Sequence, residues 1–284
     1  MTAALLKVFI TGANGQLGAE LANLSINGLD IKGLGRDGLD ITSLEQCRHV
    51  ISEYRPDVII HCAAYTAVDK AESEPEEAFR INSEGTYNIA ASAKECGAKL
   101  CYLSTDYVFD GQGKLPYEEN DSTNPQSVYG KSKLAGELAV ASLLSRYFIV
   151  RTSWVFGKYG HNFVHTMLKL ANDQQSLKVV SDQIGSPTYS LDLAHFLLQL
   201  VQTENYGIYH ASNTGSCSWY DFAQAIFKQR ALSIKVEPCL TEEFPRPAPR
   251  PSYSVLNHGA IHRHGMSDLR PWKEALFHYL YERA

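Results

Sequence analysis

Long apolar runs are missing from this chain. No stretch approaches the roughly 18–20 consecutive apolar residues of a membrane helix, so no membrane partner is expected. The opening residues "MTAALLKVFITGANG" carry neither a basic leader nor a cleavage site, and they read as a strand rather than a signal peptide. The six cysteines, Cys47, Cys62, Cys96, Cys101, Cys217 and Cys239, form no C-x-x-C pair, and several sit in apolar runs. That pattern suits reduced thiols in a cytoplasmic protein. Positive charge is also short, with 26 Lys and Arg against 31 Asp and Glu and a net charge of −5. No basic stripe appears, so nothing points to nucleic acid. Two histidine pairs, His161 with His165 and His262 with His264, lack a nearby carboxylate or cysteine to complete a ligand set, and no metal site is expected from them. Internal repeats, low-complexity tracts and flexible linkers are absent too.

What remains is an ordinary globular composition, 44% hydrophobic and 20% charged, over 284 residues. That length suits one large α/β domain or two smaller ones sharing a core. Short apolar runs alternate with amphipathic ones. "LLKVFIT" (Leu5–Thr11), "DIKGLG", "DVIIHCAA", "AKLCYLST" and "YFIVRTS" read as strands. Helices are expected from about Gln16 to Asn23, over "SLEQCRHVISEY" with Ser43 as N-cap, and along "PEEAFRINSEGTYNIAASAKECG", which Pro75 starts and Gly97 stops. The alternation implies right-handed crossovers and a parallel sheet. Beyond about Trp154 the pattern is mixed: helices at "FVHTMLKLAN", "LDLAHFLLQLVQ", "WYDFAQAIFKQ" and "PWKEALFHYLYER", and a short strand at "YGIYHAS". The expected fold is α/β, a Rossmann-type doubly wound parallel sheet with a smaller mixed α/β C-terminal substrate lobe. Residues 1–155 form the dinucleotide-binding domain, part of 175–200 returns to it, and 156–284 is mainly the substrate lobe. The proline-rich loop Glu242–Ser254 is expected to be ordered against another part of the chain.

"TGANGQLG" places Gly12, Gly15 and Gly18 between the first strand and the first helix. One glycine makes the tight turn, one lets backbone amides approach a pyrophosphate, and one lets the helix pack on the strand. The helix N-terminus then faces the negative charge. The second strand ends at Gly35-Arg36-Asp37. An arginine there suits a ribose 2′-phosphate and hence NADPH, while an acid suits NADH. In "SVYGKSKLAGE", Tyr129 and Lys133 lie four apart, on one helix face. Spacing by itself fits a surface face as well as a proton donor and its helper.

Seven stretches in order carry a resemblance: "TGANGQLG", "CAAYTAVDKAE", "STDYVFDG", "SVYGKSKLAGE", "RTSWVFG", "DQIGSPTY" and "SCSWYDFAQAIF". Together they resemble the extended short-chain dehydrogenase/reductases and, within them, the dTDP-4-dehydrorhamnose reductase family, from about Val8 to Leu280. The resemblance implies NADPH-dependent reduction, with NADH possible, of the 4-keto group of dTDP-4-dehydro-L-rhamnose to give dTDP-L-rhamnose. That step belongs to nucleotide-sugar and cell-surface polysaccharide biosynthesis. Two alternatives stay open: reduction of a related dTDP-4-keto-6-deoxysugar, or a non-catalytic NADP-binding regulatory subunit.

By the resemblance, Thr105, Tyr129 and Lys133 match the catalytic set. A tyrosine donates the proton to the ketone oxygen, and a lysine cation about 4 Å away would pull its pKa down, with an interaction of roughly 4 kcal/mol at an effective dielectric of 20, before desolvation works the other way. Lys133 also matches a ribose contact, and Thr105 a carbonyl contact. Asp106 is followed by Tyr107, not by the glutamate that related dehydratases carry, which favours simple reduction. Gly12, Gly15, Gln16, Leu17 and Gly18 match the pyrophosphate turn, Asp40 and Ile41 the adenine contacts, and Ala63, Ala64, Tyr65 and Thr66 the stretch beside the ribose and nicotinamide. Trp154 matches a residue lining the sugar pocket, Arg250 can fork onto a diphosphate, and Gln183, Pro187 and Thr188 shape the pocket wall. Family members that hold Mg²⁺ at a dimer contact use acidic residues. Glu20 matches one such acid, but Leu191 falls near a second and cannot be a ligand. Magnesium, and the choice between monomer and homodimer, stay open.

Overall fold

The computed structural model describes residues 5–282; the first four residues of the N-terminal stretch and Arg283 of the closing helix lie outside the described residues. Strands β1 (Leu6–Thr11), β2 (Leu29–Leu34), β3 (Val58–His61), β4 (Lys99–Thr105), β5 (Tyr147–Thr152) and β6 (Gly207–His210) form one sheet. Their order is β6-β5-β4-β3-β1-β2, and every neighbouring pair is parallel. Strand side chains alternate between faces with period two, and this sheet is apolar on both. Val8, Ile10, Val58, Ile60, Phe148 and Val150 enter one core. Phe9, Ile59, Leu100, Tyr102 and Ile149 enter the other. Both faces must therefore be covered by helices.

One core is closed by helix α1 (Gln16–Ala22) and by Ser190–Leu200, which contributes Leu193, Leu197 and Leu200. The other is closed by α2 (Leu44–Tyr54), α3 (Thr86–Cys96) and α4 (Val128–Leu143). Ser43 caps α2 by accepting from the Gln46 amide, and Ser127 caps α4 by accepting from the Gly130 amide at 3.0 Å. Helix α4 also lies close against the sheet. A Cβ on Gly136 would sit 2.3 Å from the Tyr102 hydroxyl, so a larger residue would push Tyr129 and Lys133 out of register.

The single long helix expected from Pro75 to Gly97 is broken. Pro75–Phe79 is α-helical, Arg80–Gly85 is a π segment, and α3 follows. The π segment lets Asn82 turn inward. Its Oδ1 accepts from the Tyr65 amide at 2.8 Å, and its Nδ2 donates to the Tyr65 carbonyl at 3.0 Å and the Ser132 hydroxyl at 2.9 Å. One side chain thus fastens the loop after β3 to α4. Such π insertions are commonest where a site needs a residue re-aimed.

The remaining residues build a second, smaller layer. Its core holds Phe156, Val164, Leu177, Phe222, Ile226 and Leu276. Helices Phe163–Asp173, Trp219–Gln229 and Trp272–Glu282 surround a parallel pair, Ser176–Val180 with Lys235–Cys239. Neither strand of that pair stands out in the sequence, because each is short, half exposed and, in the second, interrupted by Pro238. The proline-rich loop bridges the two layers: Ser252 and Tyr253 bond to the Gly111 carbonyl, and the Ser254 amide donates to the Ile184 carbonyl.

Candidate active site

In this strand order the chain reverses direction between β1 and β3. Open parallel sheets bind ligands outside the carboxyl ends of their strands at such a point. A cleft of about 1080 Å³ lies there, running from the glycine turn across the strand ends into the second layer.

The glycine turn fits a dinucleotide. Gly12 has φ +68°, and a Cβ on it would lie 2.6 Å from the Ala63 nitrogen; one on Gly18 would lie 2.1 Å from the Gly12 carbonyl oxygen. Only bare backbone fits, with α1 brought down onto β1. Gly15 is the N-cap and has no capping side chain, so the first-turn amides are left for an anion. Gln16, Leu17, Ala63, Ala64 and Thr66 continue the wall. Beyond the turn, Arg36 lines the cleft beside Asp40, Ile41 and Thr42, while Asp37 does not. The Asp40 carboxylate accepts from the Thr42 hydroxyl at 2.8 Å and its amide at 3.0 Å, which holds its pKa below the usual range. Arg80, from the π segment, also lines this end; Glu77 grips its fork, and its Nη1 donates to Thr42 at 2.8 Å.

At the centre, Thr105, Asp106, Tyr129, Lys133 and Trp154 meet. Thr105 ends β4 and donates to Asp106 Oδ1 at 2.9 Å. Burial pushes the Asp106 carboxyl up to about 6, against the hydrogen bond from Thr105. Tyr129 packs edge-on to Tyr107, with ring centroids 5.5 Å apart. Burial pushes its phenol up to about 12, with the neighbouring Thr105 hydroxyl pulling the other way. Burial, not the lysine, thus sets the direction of the tyrosine's shift, and the lowering expected from Lys133 does not prevail. Lys133 Nζ donates to the Leu103 carbonyl at 2.6 Å and lies 4.2 Å from the Tyr102 ring centroid. Its own pKa falls to about 7, because burial outweighs Glu137. Glu137 is held elsewhere, forked onto Arg151 at 3.0 and 2.8 Å, with Ser104 donating to it at 2.5 Å.

Several expected site residues are placed differently. Tyr65 does not line the cleft; its hydroxyl donates to Glu74 at 2.8 Å and its backbone is clamped by Asn82. Pro187 and Thr188 stand behind the wall, whereas Gln183 lines it and donates to Thr241 at 3.0 Å. Arg250 lines the cleft but is already paired, with Nη2 2.8 Å from Asp69. Glu20 is 1% exposed under Ser190, whose hydroxyl donates to it at 3.1 Å. It cannot present a carboxylate to a second chain at that position, so the residues here do not fit the family's magnesium contact. Residues that the sequence reading missed also line the cleft: Thr42, Asp69, Arg80, Phe163, Lys178 and Trp219. Trp219 lies inside one of the resembling stretches, but its helical spacing makes it look like a core residue.

A Rossmann sheet whose glycine turn faces a threonine, tyrosine and lysine across one cleft defines the extended short-chain dehydrogenase/reductase class. The family described as "RmlD substrate binding domain" matches residues 6–284. A spore coat polysaccharide biosynthesis protein of Bacillus subtilis, SpsK, is 46% identical over 279 residues, covering 98% of both chains. A dTDP-4-dehydrorhamnose reductase of Streptomyces griseus is 44% identical over 275 residues, 94% of this chain and 90% of that one. Among solved structures, the Bacillus anthracis dTDP-4-dehydrorhamnose reductase in complex with NADP superposes with a TM-score of 0.96 at 47% identity, over 98% of this chain and 99% of that one. The chain belongs to the RmlD family, that of the dTDP-4-dehydrorhamnose reductases.

Proposed function

We propose that this protein is an NADPH-dependent reductase of the 4-keto group of dTDP-4-dehydro-L-rhamnose, forming dTDP-L-rhamnose. The observation that carries the reading is the convergence of Thr105, Tyr129, Lys133 and Trp154 on the cleft that the glycine turn opens. When bound, NADPH supplies a hydride to carbon 4 of the sugar. The chain supplies the rest. The Gly12–Gly18 turn receives the pyrophosphate, and Lys133 holds the nicotinamide ribose. Thr105 orients and polarises the ketone, and Tyr129 gives its proton to the ketone oxygen. A phenol near 12 is fully protonated at neutral pH, the state a proton donor requires. Asp106 and Trp154 contact the sugar, and Arg250 takes the diphosphate once released from Asp69.

Arg36 at the adenosine end favours NADPH over NADH. The setting we propose is the cytoplasm: all six cysteines are free thiols, and no helix among the described residues is long and apolar enough to cross a membrane. Every residue in this scheme comes from one chain, so a monomer or a homodimer serves equally. The intact Thr105, Tyr129 and Lys133 set favours catalysis over a regulatory subunit. The test is turnover of dTDP-4-dehydro-L-rhamnose with NADPH, followed by identification of the product. A dTDP-L-rhamnose product is expected; no NADPH oxidation, or a different sugar, would overturn the reading.

A further inference from the structure

We propose that Trp219 is a positioning residue: it sets the plane of the Trp154 indole and so decides how well the sugar fits. The inference rests on the reading of Trp154 as a sugar contact.

Trp154 has an unusual backbone for its size, with φ at +48°. Bulky residues rarely occupy the left-handed region unless their surroundings demand it. Its carbonyl accepts from the Thr188 amide at 3.2 Å, and the preceding Ser153 hydroxyl donates to the Ser186 carbonyl at 2.7 Å. These bonds fix the main chain. The indole then lies flat on Trp219, with ring centroids 3.5 Å apart and planes 9° apart. Aromatic pairs left to themselves prefer offset or edge-on packing over a face-to-face sandwich. A stack with so little offset is therefore imposed from outside.

Two neighbours impose it. Gly185 leaves the space the indole fills, since a Cβ there would lie 2.5 Å from Trp154 Cε2. Phe163 backs Trp219, with centroids 4.6 Å apart. Gly185 and the residues before Trp219 belong to one ribbon: Ile184–Gly185 pairs antiparallel with Cys217–Ser218. Ser218 then caps the helix that Trp219 opens, in a reciprocal box with Asp221. A single rigid element thus carries both the gap that admits the Trp154 ring and the platform that flattens it. The backbone of Trp154 comes from the end of the main sheet; its ring orientation comes from the second layer.

A merely structural Trp219 would affect stability and little else. A positioning role makes sharper demands. Trp219→Leu should raise KM for the dTDP-4-keto sugar roughly tenfold or more, the scale of a small misplacement of a contact group, with KM for NADPH unchanged. Trp219→Phe, which still offers a ring, should recover most of the loss. Gly185→Ala should reproduce the KM defect without touching Trp219, and it serves if Trp219→Leu fails to fold. In a Trp154→Ala background, Trp219→Leu should add nothing further, since coupled residues are non-additive. An unchanged sugar KM in Trp219→Leu, or a full additional loss in the Trp154→Ala background, would overturn the proposal. Failure of the parent protein to turn over the sugar would instead overturn the functional reading.

Discussion

Replacing Tyr129 with Phe removes one oxygen and keeps the ring that packs edge-on to Tyr107. The Thr105 hydroxyl is the polar neighbour of that oxygen, and the most the replacement can remove there is one neutral hydrogen bond. A neutral hydrogen bond contributes about 1 kcal/mol, so the melting temperature should move by only about 2–4 °C. Catalysis should suffer far more. General-acid transfer contributes about 10²–10⁴ in rate, or roughly 2.7–5.4 kcal/mol at 1.36 kcal/mol per decade. We predict that loss in kcat, read as NADPH oxidation with saturating sugar nucleotide, with NADPH affinity preserved. The pH profile adds a second constraint. Burial raises the phenol to about 12, so the donor keeps its proton across the neutral and mildly alkaline range. No alkaline loss of activity below about pH 10 should belong to Tyr129. Parental turnover by the Phe variant, or an alkaline limb near neutrality that this replacement alone abolishes, would refute the assignment.

Further predictions concern three of the cations along the cleft, Arg36, Arg250 and Lys133. Arg36→Ala should raise KM for NADPH by roughly 10–100-fold, the loss of a charged hydrogen bond, and leave KM for NADH nearly unchanged; equal use of both cofactors by the parent would count against it. Arg250→Ala should weaken dTDP binding by a factor of about ten or more, and calorimetry showing unchanged affinity would remove Arg250 from the diphosphate site. Lys133 starts near 7 in the free protein, and ribose oxygens that accept hydrogen bonds from it favour the cation. NADPH binding at about pH 8 should therefore take up a proton, and affinity should fall as pH rises above 7. Calorimetry in buffers of different ionisation enthalpy reads that uptake; a parent without it, or a Lys133→Ala variant that retains it, would refute the linkage.

The sheet was legible because its strands are apolar on both faces and punctuated by helices, a pattern with few alternatives. The glycine turn was legible because its chemistry is local: the residues that make the turn are the residues that meet the phosphate. What stayed hidden depends on distance in sequence. Nothing in "FRINSEG" announces a π segment, since helix periodicity persists across it, and Asn82 is recognisable only once Tyr65 and Ser132 stand on either side. Arg250 and Asp69 are 181 positions apart, and no local rule pairs them. Tyr65 is similar: its neighbours in the chain line the cleft, while its hydroxyl is drawn to Glu74. The direction of the Tyr129 shift turned on burial, which four-residue spacing does not specify.

These three cations of the cleft are held in different ways. Glu137 draws the Lys133 pKa upward without offsetting burial; Arg151 occupies both of its oxygens and Ser104 donates as well. Lys133 is left with dipoles in place of a counter-ion, the Leu103 carbonyl and the Tyr102 face, and desolvation wins. Arg250 is in the opposite state, with the Asp69 carboxylate standing where a phosphate would serve. Arg36 is exposed and stabilised by water. The three answer to different groups: Arg36 would trade water for the fixed charge of a phosphate, Arg250 would exchange one oxyanion for another, and Lys133 would gain the ribose oxygens as acceptors. Buried charges are tolerated only when partnered, so it is Lys133, the most deeply buried of the three, whose charged form depends most on a bound cofactor.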